Sequence, residues 1–444
     1  ARSYIARQRG RYDIIQASLI DTSAATAAGA FVLTENSIYT TEAWTVFLDH
    51  LAPRGVLSFS WFYFSGRPGE MYRLTALAGE ALRRRGVGDV RRHILLVRHR
   101  TAAKSVGTLL VSPDPFSQED LAALESITGA LQFDVVLAPG VTGDPVFATV
   151  ASATNPGVIG GGLPLRVDAP TDDTPFFFNM LRLRDAYRHL LGVPAGGAGV
   201  PAGGGGGAAD LGSLGGNLRA VVLLCALLAG VVALTLVCLA VPAALALRQE
   251  GLRGAVPYLF YFTCIGLGFL LVEISQVQRL IIFLGHPTYG LSVVLFSLLL
   301  AGGAGSLATR APGAEGVGLA APARPAGAWR LAGLLLALLL FGGATPRVIE
   351  AFAASETPVR ILVAVGLLLP IGFFMGMAFP AGMSAAGARF PGMAPWFWGV
   401  NGAASVCASV LATAIALSLG IAAAFWAGFG CYVMALAAYT RASR

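Results

Sequence analysis

Two sets of residues in this 444-residue chain are typed and spaced to do chemistry. The first sits in the apolar stretch Val256–Tyr289, where Glu273, Gln276, Gln278 and Arg279 interrupt a run long enough to cross a bilayer, for which about 20 residues suffice. An acid and a base at membrane depth are costly, so they mark a substrate or proton site, or else a structural pair that neutralises itself between helices. At spacings i, i+3 and i+6, Glu273, Gln276 and Arg279 are expected on one helix face. Asn401 opens a later apolar span after Trp396 and Trp398 and joins them as a polar residue of the membrane region. The second set lies within the first 190 residues. Asp21 follows a short apolar run and reads either as a site acid or as a loop carboxylate that caps a turn. Tyr39 and Glu42 precede a helical pattern and read as a pocket border or a capping pair. Asp172 and Asp173 read as paired acids or as a turn before Phe176–Phe178. His50, His93, His99 and His189 lack metal-ligand spacing, and no metal is expected.

The elements that would position the second set alternate in period. Tyr12–Leu19 reads as a buried strand, followed by a loop over Ile20–Ala30. Glu42–Leu51 has helical spacing, Pro53–Gly55 ends it, and Val56–Trp61 is the next strand. Met71–Arg85 is helical. Arg91–Val97 and Val106–Ser112 are strands, Ser117 caps a helix over Glu119–Leu131, and Phe133–Leu137 is a further strand. This alternation predicts an α/β sheet.

RYDIIQASLIDT (Arg11–Thr22) followed by ENSIYTTEAWTVFLDHLAPRGVLSFS (Glu35–Ser60) resembles the core of the spermidine synthase family, and TDDTPFFFNMLR (Thr171–Arg182) resembles a segment of its membrane-fused members. The resemblance covers roughly residues 1–184. It implies a partial Rossmann-like, class I methyltransferase fold, and transfer of an aminopropyl or methyl group from decarboxylated S-adenosylmethionine or S-adenosylmethionine to an amine or other nucleophile, as in polyamine synthesis. The family's D-x-x-D falls on Ser18 and Asp21. Its first acid, the implied base, is therefore a serine, which cannot take up a proton alone near neutral pH. Asp21 would then orient the acceptor, Tyr39 and Glu42 would border the pocket, and the polar residue of the next strand falls near Ser60–Trp61. The glycine-rich loop and the acid that would hold the donor are missing. ARSYI matches the segment that follows the adenine-contacting acid, so a fragment or processed chain is expected, with Asp before Ala1 in its parent and with little donor binding of its own.

Hydrophobic residues make up 55% of the chain and charged residues 12%, with a mean hydropathy of +0.69. That balance belongs to a polytopic membrane protein carrying a soluble portion. The net charge of +7 comes without a basic run interleaved with aromatics, so nucleic acid is not an expected partner. The bilayer is, and a homo-oligomer is compatible with the chain. All five cysteines fall in apolar segments without a CxxC pair and read as small core residues. Gly192–Asn217 reads as a flexible tether. Beyond it an all-α membrane bundle of about seven spans is expected: Ala220–Leu245, Val256–Leu284, Gly290–Ala308, Leu331–Ala344 (the shortest), Ile361–Met383, Phe397–Leu419 and Ile421–Tyr439. Small residues such as Gly266, Gly268, Gly302, Gly305, Gly399 and Gly402 would let helices approach closely. Pro370 and Pro380 should kink the fifth span. Arginines cluster between spans one and two, between three and four, near Arg389, and at Arg441 and Arg444. By the positive-inside rule those regions are cytoplasmic, which puts residues 1–190 outside if there are seven spans. S-adenosyl donors are cytosolic, so a miscounted span and a cytoplasmic α/β domain in a bacterial-type plasma membrane are expected instead. The alternative function is a multi-span transporter or sensor with a degenerate α/β regulatory domain.

Overall fold

The computed structural model describes residues 2–20, 30–66, 68–100, 104–154, 157–159, 165–182, 212–242, 253–309 and 326–442. The chain divides into two compact units, Ala1–Leu223 and Leu224–Arg444.

The first unit is a mixed sheet with helices. Strands β1 (Tyr12–Ser18), β2 (Leu51–Phe64), β3 (Ile94–His99), β4 (Lys104–Val111), β5 (Phe133–Ala138) and β6 (Val141–Thr142) pair in the order β1-β2-β4-β3-β5-β6. β1 and β2 are parallel, and the other pairings are antiparallel. β1, β2 and β3 therefore point the same way, with β4 reversed between the last two. The helices are α1 (Arg2–Ile5), α2 (Thr41–Asp49), α3 (Gly69–Arg84), α4 (Gln118–Ala130) and α5 (Pro145–Ser152). A short hairpin, β7 (Val158–Ile159) with β8 (Leu165–Arg166), completes the unit.

The period-2 pattern of β2 explains the core. Leu57, Phe59, Trp61 and Tyr63 alternate onto the buried face. There they meet Tyr39, Trp44 and Phe47 around α2, Met71, Leu74 and Leu77 of α3, and Phe177 and Phe178. Arg73, 2% exposed, fastens the 168–179 segment to α3. Its guanidinium donates to the carbonyls of Asp168, Phe176, Phe177 and Asn179 at 2.5–3.0 Å. Burial pulls it down to about 9, with the Arg166 charge adding to the effect and Asp168 opposing it, so it stays charged at neutral pH.

Three expectations are corrected here. β1 is a strand, but not a buried one: it lies at the sheet edge, with Ile14 65% exposed, because a single apolar run does not say whether a strand has one neighbour or two. Pro53–Gly55 does not separate a helix from a strand. It lies inside the 14-residue β2, where the register against β1 shifts and Arg54 takes a left-handed φ of 60°. The tether also ends earlier than expected. Helix α6 (Gly212–Thr235) has already begun at Asn217, whose Oδ1 accepts from Met180 N at 2.8 Å, and Ala220 is buried with the α/β core. Residues 183–211 lie outside the described ones. The capping of α4 is as read: Ser117 Oγ accepts from Asp120 N, and the Asp120 carboxylate accepts from Ser117 N.

The second unit is helical: α7 (Val256–Leu284), α8 (Pro287–Leu307), α9 (Ala326–Phe352), α10 (Thr357–Arg389), α11 (Ala394–Leu419) and α12 (Ile421–Ala442). Together with Gly216–Leu239 of α6, seven helices among the described residues are long and apolar enough to cross a membrane. Among the described residues the count agrees with the expected seven spans, and the clash between the arginine distribution and a cytosolic donor stands. The fourth span is a full 27-residue helix, and its apolar core had hidden flanks that also fit a helix. Pro370 and Pro380 lie inside α10, which runs on as one helix from Thr357 to Arg389.

Glycines bring the backbones together as expected. A Cβ on Gly376 would strike the carbonyl of Gly302, and one on Gly305 the carbonyl of Phe373, so α8 and α10 touch through main chain. Gly268 of α7 lies against Tyr432 and the Gly428 carbonyl of α12 in the same way. Gly402, by contrast, faces open space.

Candidate functional site

In open α/β sheets ligands bind beyond the carboxyl ends of the strands. Here the ends of β1, β2 and β3 lie along one edge. Ser18 closes β1 opposite Ser60 of β2, and Ser60 stands opposite Thr108 of β4. The Ser60 and Thr108 hydroxyls are 2.9 Å apart, so three hydroxyl residues on three adjacent strands form a row. Leu19, next in the chain, has φ 48° and donates its N–H to the Ser60 carbonyl at 3.1 Å. A left-handed leucine is strained, and such residues collect at functional turns. Asp21 lies outside the described residues.

Further along the same edge opens a cleft of about 640 Å³, lined among others by Tyr63, Ser65, Arg98, Arg100, Asp134 and Asp144. Asp134 is held between two arginines, accepting from Arg100 Nε at 2.8 Å and Arg98 Nη2 at 3.3 Å. The Arg100 hydrogen bond draws its carboxyl below the usual range, with Arg98 adding to the effect. Arg98 also lies over the Tyr63 ring, 5.3 Å from its centroid. Tyr72 donates to Asp144 at 2.7 Å. Burial, and then Asp144, push its phenol far above its ordinary value, so it remains a donor. Burial likewise raises Tyr63. Sequence reading missed this cleft. The signal available was the run of charged residues at strand ends, Arg98 and Arg100 after Leu95–Val97, and Asp134 at the start of β5.

The other α/β site residues hold structure together. Tyr39 is buried, stacked on Phe177 with ring centroids 4.4 Å apart and edge-on to Phe59. Glu42 accepts from Arg84 at 2.8 Å and from the Asp172 main-chain N–H at 2.9 Å. Asp172 binds Arg2 with both oxygens, at 2.6 and 2.8 Å, and accepts from Thr40 at 2.8 Å. This latch ties the segment before Phe176–Phe178 to α1 and α2. The two residues read as a pocket border are thus spent on the core and the latch, and neither lines the cleft.

The membrane set does not share one face. Six residues of α-helix turn through about 600°, which leaves Arg279 about 120° round from Glu273. Arg279 lies over the Phe425 ring of α12, 6.0 Å from its centroid, and Glu273 forms no ion pair with it. Asn401 is an interhelical staple: its amide donates to the Phe262 carbonyl at 3.1 Å, beside Ser405, which donates to Gly266 O at 3.2 Å. Gln276 is fully buried. Of the cysteines, Cys264 and Cys431 are buried and Cys238 is exposed, and all five are free.

A donor of the S-adenosyl type does not fit the residues described here. Between Ala1 and Arg182 there is no G-x-G-x-x-G turn. The glycine that opens α3 after β2, Gly69, has its Cβ position filled by Met180 and Leu165, so it packs the core and leaves no cradle. The edge offers hydroxyls, phenols and a bridged arginine pair, groups suited to an acceptor molecule.

Fold and site together define an integral multi-pass membrane protein with an N-terminal unit of mixed sheet and helices. No protein-family model matches the chain, no curated protein matches it, and no solved structure matches it.

Proposed function

We propose that the α/β unit is the acceptor-binding part of a membrane-bound, spermidine synthase-like transferase that places an amine or other nucleophile at the carboxyl edge of the sheet. The observation that carries this is the Ser18–Ser60–Thr108 row at the end of the parallel pair β1–β2, with the left-handed Leu19 leading to Asp21. In this reading Asp21 and the hydroxyl row orient the acceptor. Ser18 cannot serve as the base, so a proton must leave by another group or after the transfer. The donor, S-adenosylmethionine or its decarboxylated form, would be held by residues other than those described. The cleft around Tyr63 and Arg98 lies on the same edge and would take the far end of an elongated acceptor.

The arginine distribution with seven spans puts this unit opposite the cytoplasm, and donor chemistry puts it inside. One measurement addresses both: equilibrium binding of S-adenosylmethionine and of decarboxylated S-adenosylmethionine to the full-length protein in sealed vesicles of known orientation. Saturable binding from the cytoplasmic side, weakened by Asp21→Asn in the presence of an amine, is the expected result. Binding of neither donor from either side overturns the transferase reading.

A further inference from the structure

Helix α7 is the hub of the membrane unit, packed against α8, α10, α11 and α12. Three acceptor groups on it stand without donors among the described residues: the buried Gln278 Oε1, and two that are neighbours, on Gln276 and Glu273. Gln276 is 0% exposed. Its amide nitrogen donates to Ser275 Oγ at 3.0 Å, but its Oε1 is buried and has no partner. A carbonyl stranded in this way is costly, and more so where no water surrounds the helix. Glu273, one turn earlier and half-buried, forms no hydrogen bond or ion pair among the described residues. At i and i+3 the two side chains are neighbours on the helix surface.

The cations nearby are committed elsewhere. Arg279 is turned about 120° away, over Phe425. Arg360 of α10 donates to the Phe283 carbonyl at 2.7 Å and to Thr357. Arg389 of α10 binds the Ala442 carbonyl, and Arg441 sits in the last turn of α12. The remaining titratable groups on the packed helices are Tyr289 of α8, Cys407 of α11, and Cys431, Tyr432 and Tyr439 of α12, none of which carries positive charge. Tyr432 is close enough to feel the charge of Glu273. One carboxylate balances one positive charge and would leave a divalent ion uncompensated in a low-dielectric surrounding. The two groups suit a single positive charge.

We propose that Glu273 and Gln276 form an intramembrane site for one small monovalent cation, the proton included. The proposal is independent of the transferase reading.

The test uses the full chain in lipid nanodiscs and dicyclohexylcarbodiimide, an apolar reagent that modifies protonated carboxyls, with labelled residues read by mass spectrometry. Glu273 is expected to be labelled, at a rate that falls as pH rises through one midpoint. Gln276→Leu is expected to change the rate at fixed pH by about fivefold. Gln276→Met serves if the leucine variant unfolds. Protection by sodium or potassium at constant pH assigns an alkali ion, protection by methylammonium assigns an amine, and pH dependence alone assigns the proton. No labelling of Glu273 at any pH at which the protein stays folded overturns the site. So does labelling that neither Gln276 variant nor any cation alters, since a water molecule on Gln276 would then suffice.

Discussion

Both units pack ring on ring, as Phe262 does on Phe397 at 5.1 Å in the helical unit, but they differ in how closely their backbones approach. In the α/β unit large rings interdigitate: Tyr39 stacks on Phe177, Trp44 leans on Phe59 at 4.7 Å between centroids, and Trp61 meets Phe178 at 5.2 Å. In the helical unit main chain meets main chain where side chains are missing, at Gly302 against Gly376 and at Gly305 against Phe373. The solvent accounts for the difference. Water rewards the removal of large apolar surfaces, so the soluble core is built from them. Lipid gives no such reward between helices, and close contact of small residues must supply the attraction. Polar groups do not divide this way: Arg73 in the α/β unit and Asn401 in the helical unit both find carbonyls, while Trp44 Nε1 and Asn179 Oδ1 in the first and Gln276 Oε1 in the second are buried without a partner among the described residues.

The comparison is tested most severely at Arg73. Arg73→Met leaves four carbonyls without a donor, and the loss is expected to be about 3–5 kcal/mol, as when one partner of a buried polar set is removed. Pulse proteolysis would read it as cleavage within residues 165–182 while the helical unit stays protected. Equal loss in both units would mean that they do not fold as separate cores. Next comes Gly376→Leu. Overpacking costs about 1–3 kcal/mol, occasionally more, and here the obstruction is a carbonyl that cannot rotate aside. Thermal unfolding in detergent should fall for the helical unit alone, and an unchanged midpoint would show that α8 and α10 are not held by this contact. The smallest effect is at α4. Hydrogen bonds from the Ser117 backbone and side chain hold the Asp120 carboxyl below its usual range. A depressed carboxyl stabilises the fold above its unfolded value and loses that contribution as pH falls through the folded one. Amide exchange in the first turn of α4 should therefore quicken in strong acid, and Asp120→Asn should remove the pH dependence.

Legibility was uneven for physical reasons. The capping of α4, the strands β2, β4 and β5, and the close helix approach at glycines were open to reading because propensity and pattern are local. The cleft was not, because Tyr63, Arg98 and Asp134 meet only when β4 inserts between β2 and β3 and β5 pairs beyond them. Glu42, read as a pocket border or a capping residue, and Asp172, read as one of a pair of acids or a turn residue, lie 130 residues apart and turn out to share one hydrogen bond that latches two segments.

The sequence by itself determined that this is a multi-span membrane protein with an α/β unit ahead of it, because apolar length and hydrophobic period are properties of the chain. The tertiary structure alone decided which polar groups find partners. Tyr39, Glu42 and Asn401 are engaged in the fold, Arg279 is turned away from Glu273, and Gln276 is left with a buried acceptor. Hydrogen bonding depends on what distant segments bring within about 3 Å, and no spacing along one helix fixes that.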